Sequence, residues 1–278
     1  MIEKMPPPNA ESIQLGLKDV PETMLWPLWN RASEQSHPQR VLDDPMSAEL
    51  TRRIDYDFRA NFGKASVFHA VRARVIDDKI KAWLGSNSQG TVIALGEGLE
   101  TQCWRVDNGT LNWISVDLPE SVEAQRKLLP IKKRMRRVPC SALDPKWMEG
   151  IETDKPVFIT AAGLLMYFQE SDGKRLLKMI AEHFDSGAIV FDMIPKWFSK
   201  KTLTGNYKIT PQYTAPRMPW GLDFDQHYTL ESIHPKLRLL ASATYIDGFS
   251  HRARVYAFLC KLPPIRKRMP GIVHMSFR

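Results

Sequence analysis

The sequence predicts a doubly wound α/β fold: a mostly parallel sheet with an antiparallel final strand, a helical amino-terminal cap and an inserted lid. Two observations carry this expectation. Short continuous apolar runs, Thr91–Leu95, Trp113–Val116, Val157–Ala161 and Ala188–Phe191, alternate with amphipathic stretches, as parallel strands covered on both faces do. Before Gly85 the pattern is helical instead, with Leu25, Leu28, Trp29 and Ala32, then Val67, Ala70, Val71, Arg74, Val75 and Ile80, at helical spacing.

Taken in order, residues 1–21 carry Pro6, Pro7 and Pro8 and little apolar periodicity, and are expected to form a flexible arm. Residues 22–85 form the helical cap, with Asp44-Pro45 as a helix start that places proline at the first helical position. Residues 86–262 form the α/β domain, with helices beginning near Leu99, Pro119 and Glu170. Within it, residues 193–226 hold Pro195, Pro211, Pro216 and Pro219 and several aromatics, in an insert long enough to be a lid or binding loop. A helix near Leu230 follows, then two strand-like runs, Leu237–Ala243 and Arg252–Leu259, expected to pair antiparallel and close the sheet. Residues 263–278 read as a basic tail.

At 278 residues with 43% hydrophobic and 25% charged content, the chain has the composition of an ordinary globular protein. No apolar run reaches the roughly 18 residues of a membrane span, and the first residues lack the apolar stretch of a signal peptide. Cys103, Cys140 and Cys260 are few, odd in number and widely spaced, which suits a reducing, cytoplasmic location and neither a disulfide framework nor a metal knuckle. No His, Asp or Glu cluster has metal-ligand spacing, so no metal is expected. The net charge of +8 gathers in Arg126, Lys127, Lys132, Lys133, Arg134, Arg136 and Arg137 and again in Lys261, Arg266, Lys267 and Arg268. No aromatic residue interleaves either set, so solvated surface is favoured over a nucleic-acid groove.

The strongest chemical signal is Thr91-Val-Ile-Ala-Leu-Gly96-Glu-Gly98-Leu-Glu-Thr101, a buried strand entering a glycine turn and then a helix. Glycines there let the backbone pass close to a ligand, although a plain tight turn has the same appearance. The next strand ends at Asp117, about twenty residues on, where an acid can hold ribose hydroxyls or simply cap the following helix. A dinucleotide fingerprint requires a third glycine where Thr101 stands, which disfavours an NAD-dependent dehydrogenase.

The string Val92-Ile-Ala-Leu-Gly-Glu-Gly-Leu-Glu-Thr-Gln-Cys-Trp-Arg105, followed by Val116-Asp-Leu-Pro-Glu120, resembles the leucine carboxyl methyltransferase family, which includes polyketide O-methyltransferases. Arg72-Ala-Arg74-Val-Ile-Asp77-Asp78, Ser141-Ala-Leu-Asp144-Pro-Lys-Trp147 and Gly163-Leu-Leu-Met-Tyr167 agree with the family in the same order, so the likeness spans roughly residues 25–192. It implies a class I methyltransferase-like sheet and S-adenosylmethionine as cofactor. Arg72 would then grip the cofactor's carboxylate, with Arg74 the weaker candidate. Gly96 and Gly98 would approach the methionine portion and Asp117 the ribose. Leu118 would lie against the adenine, with Ser141, Ala142 and Leu143 on its far side. Two departures stand out: Ala162 occupies a position where several family members carry an acid for the cofactor's ammonium group, and Ser141-Ala142 replaces Asp-Leu.

A methyl acceptor that is a carboxylate needs no base, whereas a phenol or alcohol is helped by one. No catalytic residue is assigned on sequence. His69, His183, His227 and His251 are the histidines to consider, with His69 one helical turn before Arg72 and His227 placed to overhang an acceptor. Trp26, Tyr167, Tyr213 and Trp220 are the expected acceptor-pocket residues, drawn from an aromatic supply that also holds Trp29, Trp197 and Phe198. The expectation is O-methylation of a small-molecule carboxylate or hydroxyl in secondary metabolism. Its rivals are methylation of a protein carboxyl terminus and a non-catalytic cofactor-binding partner.

Overall fold

In the computed structural model, which describes residues 12–247 and 260–278, helices α1 (Asp19–Glu22), α2 (Leu25–Glu34), α3 (Pro45–Arg53), α4 (Phe58–Phe62) and α5 (Phe68–Leu84) come first. Asp44 starts α3 as its motif requires: its carboxylate accepts the Ser47 N–H at 3.2 Å, and Pro45 fills the first helical position. The apolar faces of α2, α3 and α4 close on each other through Leu25, Leu28, Leu50, Phe58 and Phe62.

The sheet holds β1 (Thr91–Leu95), β2 (Asn112–Asp117), β3 (Met135–Pro139), β4 (Val157–Ala161), β5 (Gly187–Met193), β6 (Leu237–Thr244) and β7 (Gly271–Phe277) in the order β3-β2-β1-β4-β5-β7-β6, with α6 (Gln102–Val106) between β1 and β2 and α7 (Pro119–Leu128) between β2 and β3. Strands β1 to β5 pair in parallel, and β7 runs antiparallel to both neighbours, β5 and β6. The continuous apolar runs are explained by two buried faces. Ile93 and Leu95 point into one core with Leu176, Leu177 and Ile180 of helix α8 (Glu170–His183), whereas Val92 and Ala94 point into the other with Ile76, Ile80 and Leu84 of α5. A boundary at Gly85 therefore cuts α5 away from the sheet on which it packs.

Three expectations need correction. The basic stretch around Arg134–Arg137 contains β3, an edge strand whose Met135 is buried while Arg136 is exposed; charge on an edge blocks further pairing and hides the strand from a search for apolar runs. The basic tail ends in β7, with Val273, Met275 and Phe277 fully buried, because alternating burial needs only every second residue apolar. The antiparallel partner of β6 is this strand; the run Arg252–Leu259 and His251 lie outside the described residues. The segment near Leu230 is a 3-10 helix over Phe224–Ile233. Within the insert, α9 spans Lys196–Leu203. Among the described residues no helix is long and apolar enough to cross a membrane.

Candidate active site

The sheet order reverses between β1 and β4, and the carboxyl ends of the strands flanking such a switch point form the natural crevice of an open α/β sheet. A cavity of about 670 Å³ lies there, floored by the ends of β1, β2, β4 and β5 and roofed by residues of α1, α2, α5 and the insert.

Gly96 and Gly98 both sit in the left-handed region, at φ +61° and +56°. A Cβ at Gly96 would lie 2.8 Å from Leu164 Cδ1, and one at Gly98 would lie 2.8 Å from Met24 Cβ. The glycines therefore serve close approach, and the groups that approach at their α-carbons are two side chains of the protein itself. Asp117 holds this turn: its Oδ2 accepts the Gly98 N–H at 2.6 Å and its Oδ1 accepts the Leu118 N–H at 2.8 Å. Burial raises its pKa against those two amide hydrogen bonds. With the Ser121 hydroxyl as a third donor, the carboxylate keeps acceptor capacity for a hydroxyl in the cavity.

Arg72 is buried and paired with the fully buried Asp192 at the end of β5, Nη1 to Oδ2 at 3.1 Å. Burial opposes the arginine's charge, and Asp192 more than restores it. Asp192 also accepts from the Gly163 N–H and the Tyr245 hydroxyl. The guanidinium Nε is buried with no hydrogen-bond partner among the described residues, and Arg72 is one of the residues that line the cavity. Arg74, by contrast, is exposed and bonded to Asp78 one turn on. Two residues along a helix separate the faces.

Of the other residues expected to hold a cofactor, Leu118, Ser141, Ala142 and Ala162 line the cavity, whereas Leu143 packs against the core beneath it. Of the expected acceptor residues, Trp26 and Tyr167 line it. Trp220 and Tyr213 do not. The Trp220 ring lies so close over Gly173 of α8 that a Cβ there would come within 2.0 Å, and Tyr213 packs edge-on against Phe62 at 4.8 Å with its hydroxyl buried and unpartnered among the described residues. Both rings do structural work that periodicity could not separate from ligand contact. Besides Asp192, the end of β5 and the insert bring Ile194, Phe198 and Met218 to the cavity. His227 is held away from it by Ser242, 3.0 Å from Nδ1, and by Gly271. Trp29 stacks on Phe58 and donates to the Gly63 carbonyl.

Sequence reasoning missed several wall residues. Asp192 directly follows an apolar run, as Asp117 does, and that repeat was the available signal. Glu97, between the glycines, donates nothing to the turn; its Oε1 accepts the Trp113 indole N–H at 2.9 Å and its Oε2 is buried without a partner among the described residues. Burial pushes its carboxyl up to about 8. Thr101, the departure from the dinucleotide pattern, donates its hydroxyl to Asp44 at 2.7 Å and accepts from Arg105 at 2.6 Å. Around it Arg31 and Arg105 are shared among Asp44, Asp77 and Glu100, a buried ionic clasp joining α2, α3 and α5 to the loop after β1. Burial alone would raise Glu100, but the two arginines outweigh it and hold the group at about 2. Among the described residues no group of three or more His, Cys, Asp or Glu side chains is placed to hold a metal ion.

Comparison with known proteins agrees with this architecture. The tetracenomycin polyketide synthesis O-methyltransferase TcmP of Streptomyces glaucescens is 30% identical over 254 residues, covering 90% of this chain and 89% of its own. The S-adenosyl-L-methionine-dependent methyltransferase dpfgK of Gibberella zeae is 29% identical over 191 residues, covering 62% of this chain and 64% of its own. In fold, the plantazolicin methyltransferase BamL, solved with a triazolic desmethylPZN analog and SAH, superposes with a TM-score of 0.52 at 10% identity, over 93% of this chain and 99% of that one. Residues 25–181 match the model of the leucine carboxyl methyltransferase family, and the chain belongs to that family.

Proposed function

We propose that this protein transfers a methyl group from S-adenosylmethionine to an oxygen of a small-molecule acceptor. One observation carries the reading: a single cavity runs from the glycine turn and Asp117 to an aromatic wall of Trp26, Tyr167 and Phe198. The residues fit the cofactor. Asp117 retains acceptor capacity for ribose hydroxyls, Leu118, Ser141 and Ala142 flank the place for the adenine, and the Arg72 guanidinium in the cavity wall supplies a cation for the cofactor's carboxylate. Ala162 offers no acid for the ammonium group, so that contact falls to backbone carbonyls near Gly96. When bound, the cofactor supplies a methyl on a sulfonium whose leaving group is a neutral thioether. The protein's part is to align the acceptor and exclude water.

The relatives support a small acceptor, and so does the roof, where Val20, Met24, Trp26, Phe198 and Met218 cover the cavity. A protein carboxyl terminus would need an open groove. The helical segment before Gly85 acts, in this reading, as the cap and 193–226 as the lid. The three cysteines are free, which fits the cytoplasm.

Calorimetric titration tests the proposal. S-adenosylhomocysteine should bind and NAD should not. Asp117→Ala should weaken S-adenosylhomocysteine by about 1.5–3 kcal/mol, the range for hydrogen bonds to a charged group. Tight NAD binding with no response to S-adenosylhomocysteine would sink the reading.

A further inference from the structure

The wall of the cavity opposite the strand ends contains a histidine whose role is set by its neighbours. His69, on α5 one turn before Arg72, lines the cavity with Trp26 edge-on to its ring at 5.7 Å. Its Nδ1 is 2.6 Å from Asn30 Nδ2. Either nitrogen of a histidine can carry the proton, so this contact alone leaves the tautomer open. Ser66 closes the question. Its backbone N–H, which can only donate, lies 2.9 Å from Asn30 Oδ1. The Asn30 oxygen therefore faces Ser66 and its NH2 group faces His69. Nδ1 must accept, and the proton of the neutral ring stands on Nε2, which has no protein partner among the described residues.

We propose that His69 is a neutral hydrogen-bond donor to the methyl acceptor's oxygen, through Nε2–H, and that Asn30 is the positioning residue that fixes this tautomer. The proposal rests on the methyltransferase reading above. A base at Nε2 would need Nδ1–H to donate to something, and Asn30 as held by Ser66 presents only hydrogens. The ring also resists taking a second proton: burial first, then the nearby cations Arg72 and Arg31, push its pKa well below the usual histidine range, with Glu100 opposing weakly. Each carboxylate of the cavity wall is tied to at least one protein donor, although Glu97 Oε2 has none among the described residues. Glu100 is bonded to Arg31 and Arg105, Asp192 to Arg72, Tyr245 and Gly163, Asp117 to the turn amides, and Glu97 to Trp113. In this proposal the acceptor oxygen arrives ionised. Its lone pair forms the O–C bond as the donor's C–S bond breaks with its electrons going to sulfur, and no proton has to move. A neutral donor in the wall orients that oxygen and replaces part of its lost hydration.

The test is the ring itself. With 15N-labelled histidine in the full-length protein, long-range proton–nitrogen correlation spectra are recorded with and without S-adenosylhomocysteine, and His69 is assigned by its absence in His69→Gln. Nε2 should be pyrrole-like and Nδ1 pyridine-like, unchanged from about pH 5.5 to about pH 8.5. Protonation at Nδ1, or titration inside that range, overturns the proposal. Asn30→Asp keeps the acceptor for Ser66 but replaces the donor to His69 by an oxygen, and should move the proton to Nδ1. An unmoved proton there would show that Asn30 does not set the tautomer. In the S-adenosylhomocysteine complex, 1-naphthoate as an anionic aromatic probe should shift Nε2 and bind about tenfold more weakly to His69→Phe, with His69→Gln in between. Equal affinities and an unshifted Nε2 overturn the donor role. Failure of S-adenosylhomocysteine to bind would be a separate result, and would count against the methyltransferase reading instead.

Discussion

The two walls of the cavity are built by different rules. On the sheet side, ligand-facing groups are backbone turns and strand-end acids: Gly96, Gly98 and Asp117 are local in sequence and locked to one another by amide hydrogen bonds. On the cap side they are side chains on helices, Trp26, Asn30, His69 and Arg72, each held by a partner from elsewhere in the chain. The sheet wall owes its shape to topology, so it forms wherever the strands do. The cap wall exists only if α2, α3 and α5 are clamped to the loop after β1. The ionic clasp supplies that clamp, since Arg31 and Arg105 lie across the join and hydrogen-bond Asp44, Asp77, Glu100 and Thr101.

The largest expected effect comes from breaking the clasp. Arg105→Ala leaves Asp44 and Glu100 to share Arg31 and strips Asp77 of its arginine, with the Gln102 amide still donating to it, and removing one partner of a buried ion pair typically costs about 3–5 kcal/mol. Urea unfolding should show a loss of that size. Arg74→Ala, which removes an exposed pair with Asp78, should change stability by no more than about 0.5 kcal/mol. A loss below about 1 kcal/mol in Arg105→Ala would mean that the cap is held by its apolar contacts alone.

The second effect sharpens the sheet side. Glu97 under the glycine turn is raised by burial from 4.5 to about 8. Its folded pKa lies above its unfolded one, so its contribution is complete below the unfolded value and is lost as pH climbs through the folded one. Between those values the native protein should lose stability relative to Glu97→Gln, by at most about 1.4 kcal/mol per pH unit. Paired denaturation curves across that window check this. Parallel stabilities at all pH values would show that the carboxyl is solvated and the turn is looser than its hydrogen bonds indicate.

The same contrast explains what the sequence made legible. Strands β1, β2, β4 and β5 stand out because a strand buried on both faces must be apolar throughout. The glycine turn and Asp117 are legible because their chemistry is tied to fixed offsets from such a strand. Strands β3 and β7 escape because an edge strand and a half-polar strand spend their side chains on charge and alternation. The cap wall is legible in Arg72, through the family resemblance, and otherwise poorly. Asn30 finds Ser66 and His69 only after α2 has packed on α5, and no spacing encodes that meeting. Aromatic content was a poor guide to the acceptor pocket because Trp220 and Tyr213 satisfy the same hydrophobic pattern by filling the core.

The smallest expected effect tests that last distinction. Tyr213 carries a hydroxyl that is buried without a hydrogen-bond partner among the described residues, and burial raises its pKa. An unsatisfied buried hydroxyl is a cost to the fold, so Tyr213→Phe should be neutral or stabilising, by no more than about 1 kcal/mol. The ring contacts with Phe62 at 4.8 Å and Trp26 at 6.4 Å survive in the variant. If the residue is structural, as its place in the cap core indicates, the affinity of the S-adenosylhomocysteine complex for an aromatic acceptor probe should not change. Tyr167→Phe, in the cavity wall itself, provides the contrasting case, because there the removed hydroxyl belongs to a ring that a ligand can touch. Loss of probe affinity in Tyr213→Phe with stability unchanged would return Tyr213 to the acceptor pocket. It would also mean that the cap rearranges when the acceptor binds, since in the present arrangement the phenol does not reach the cavity.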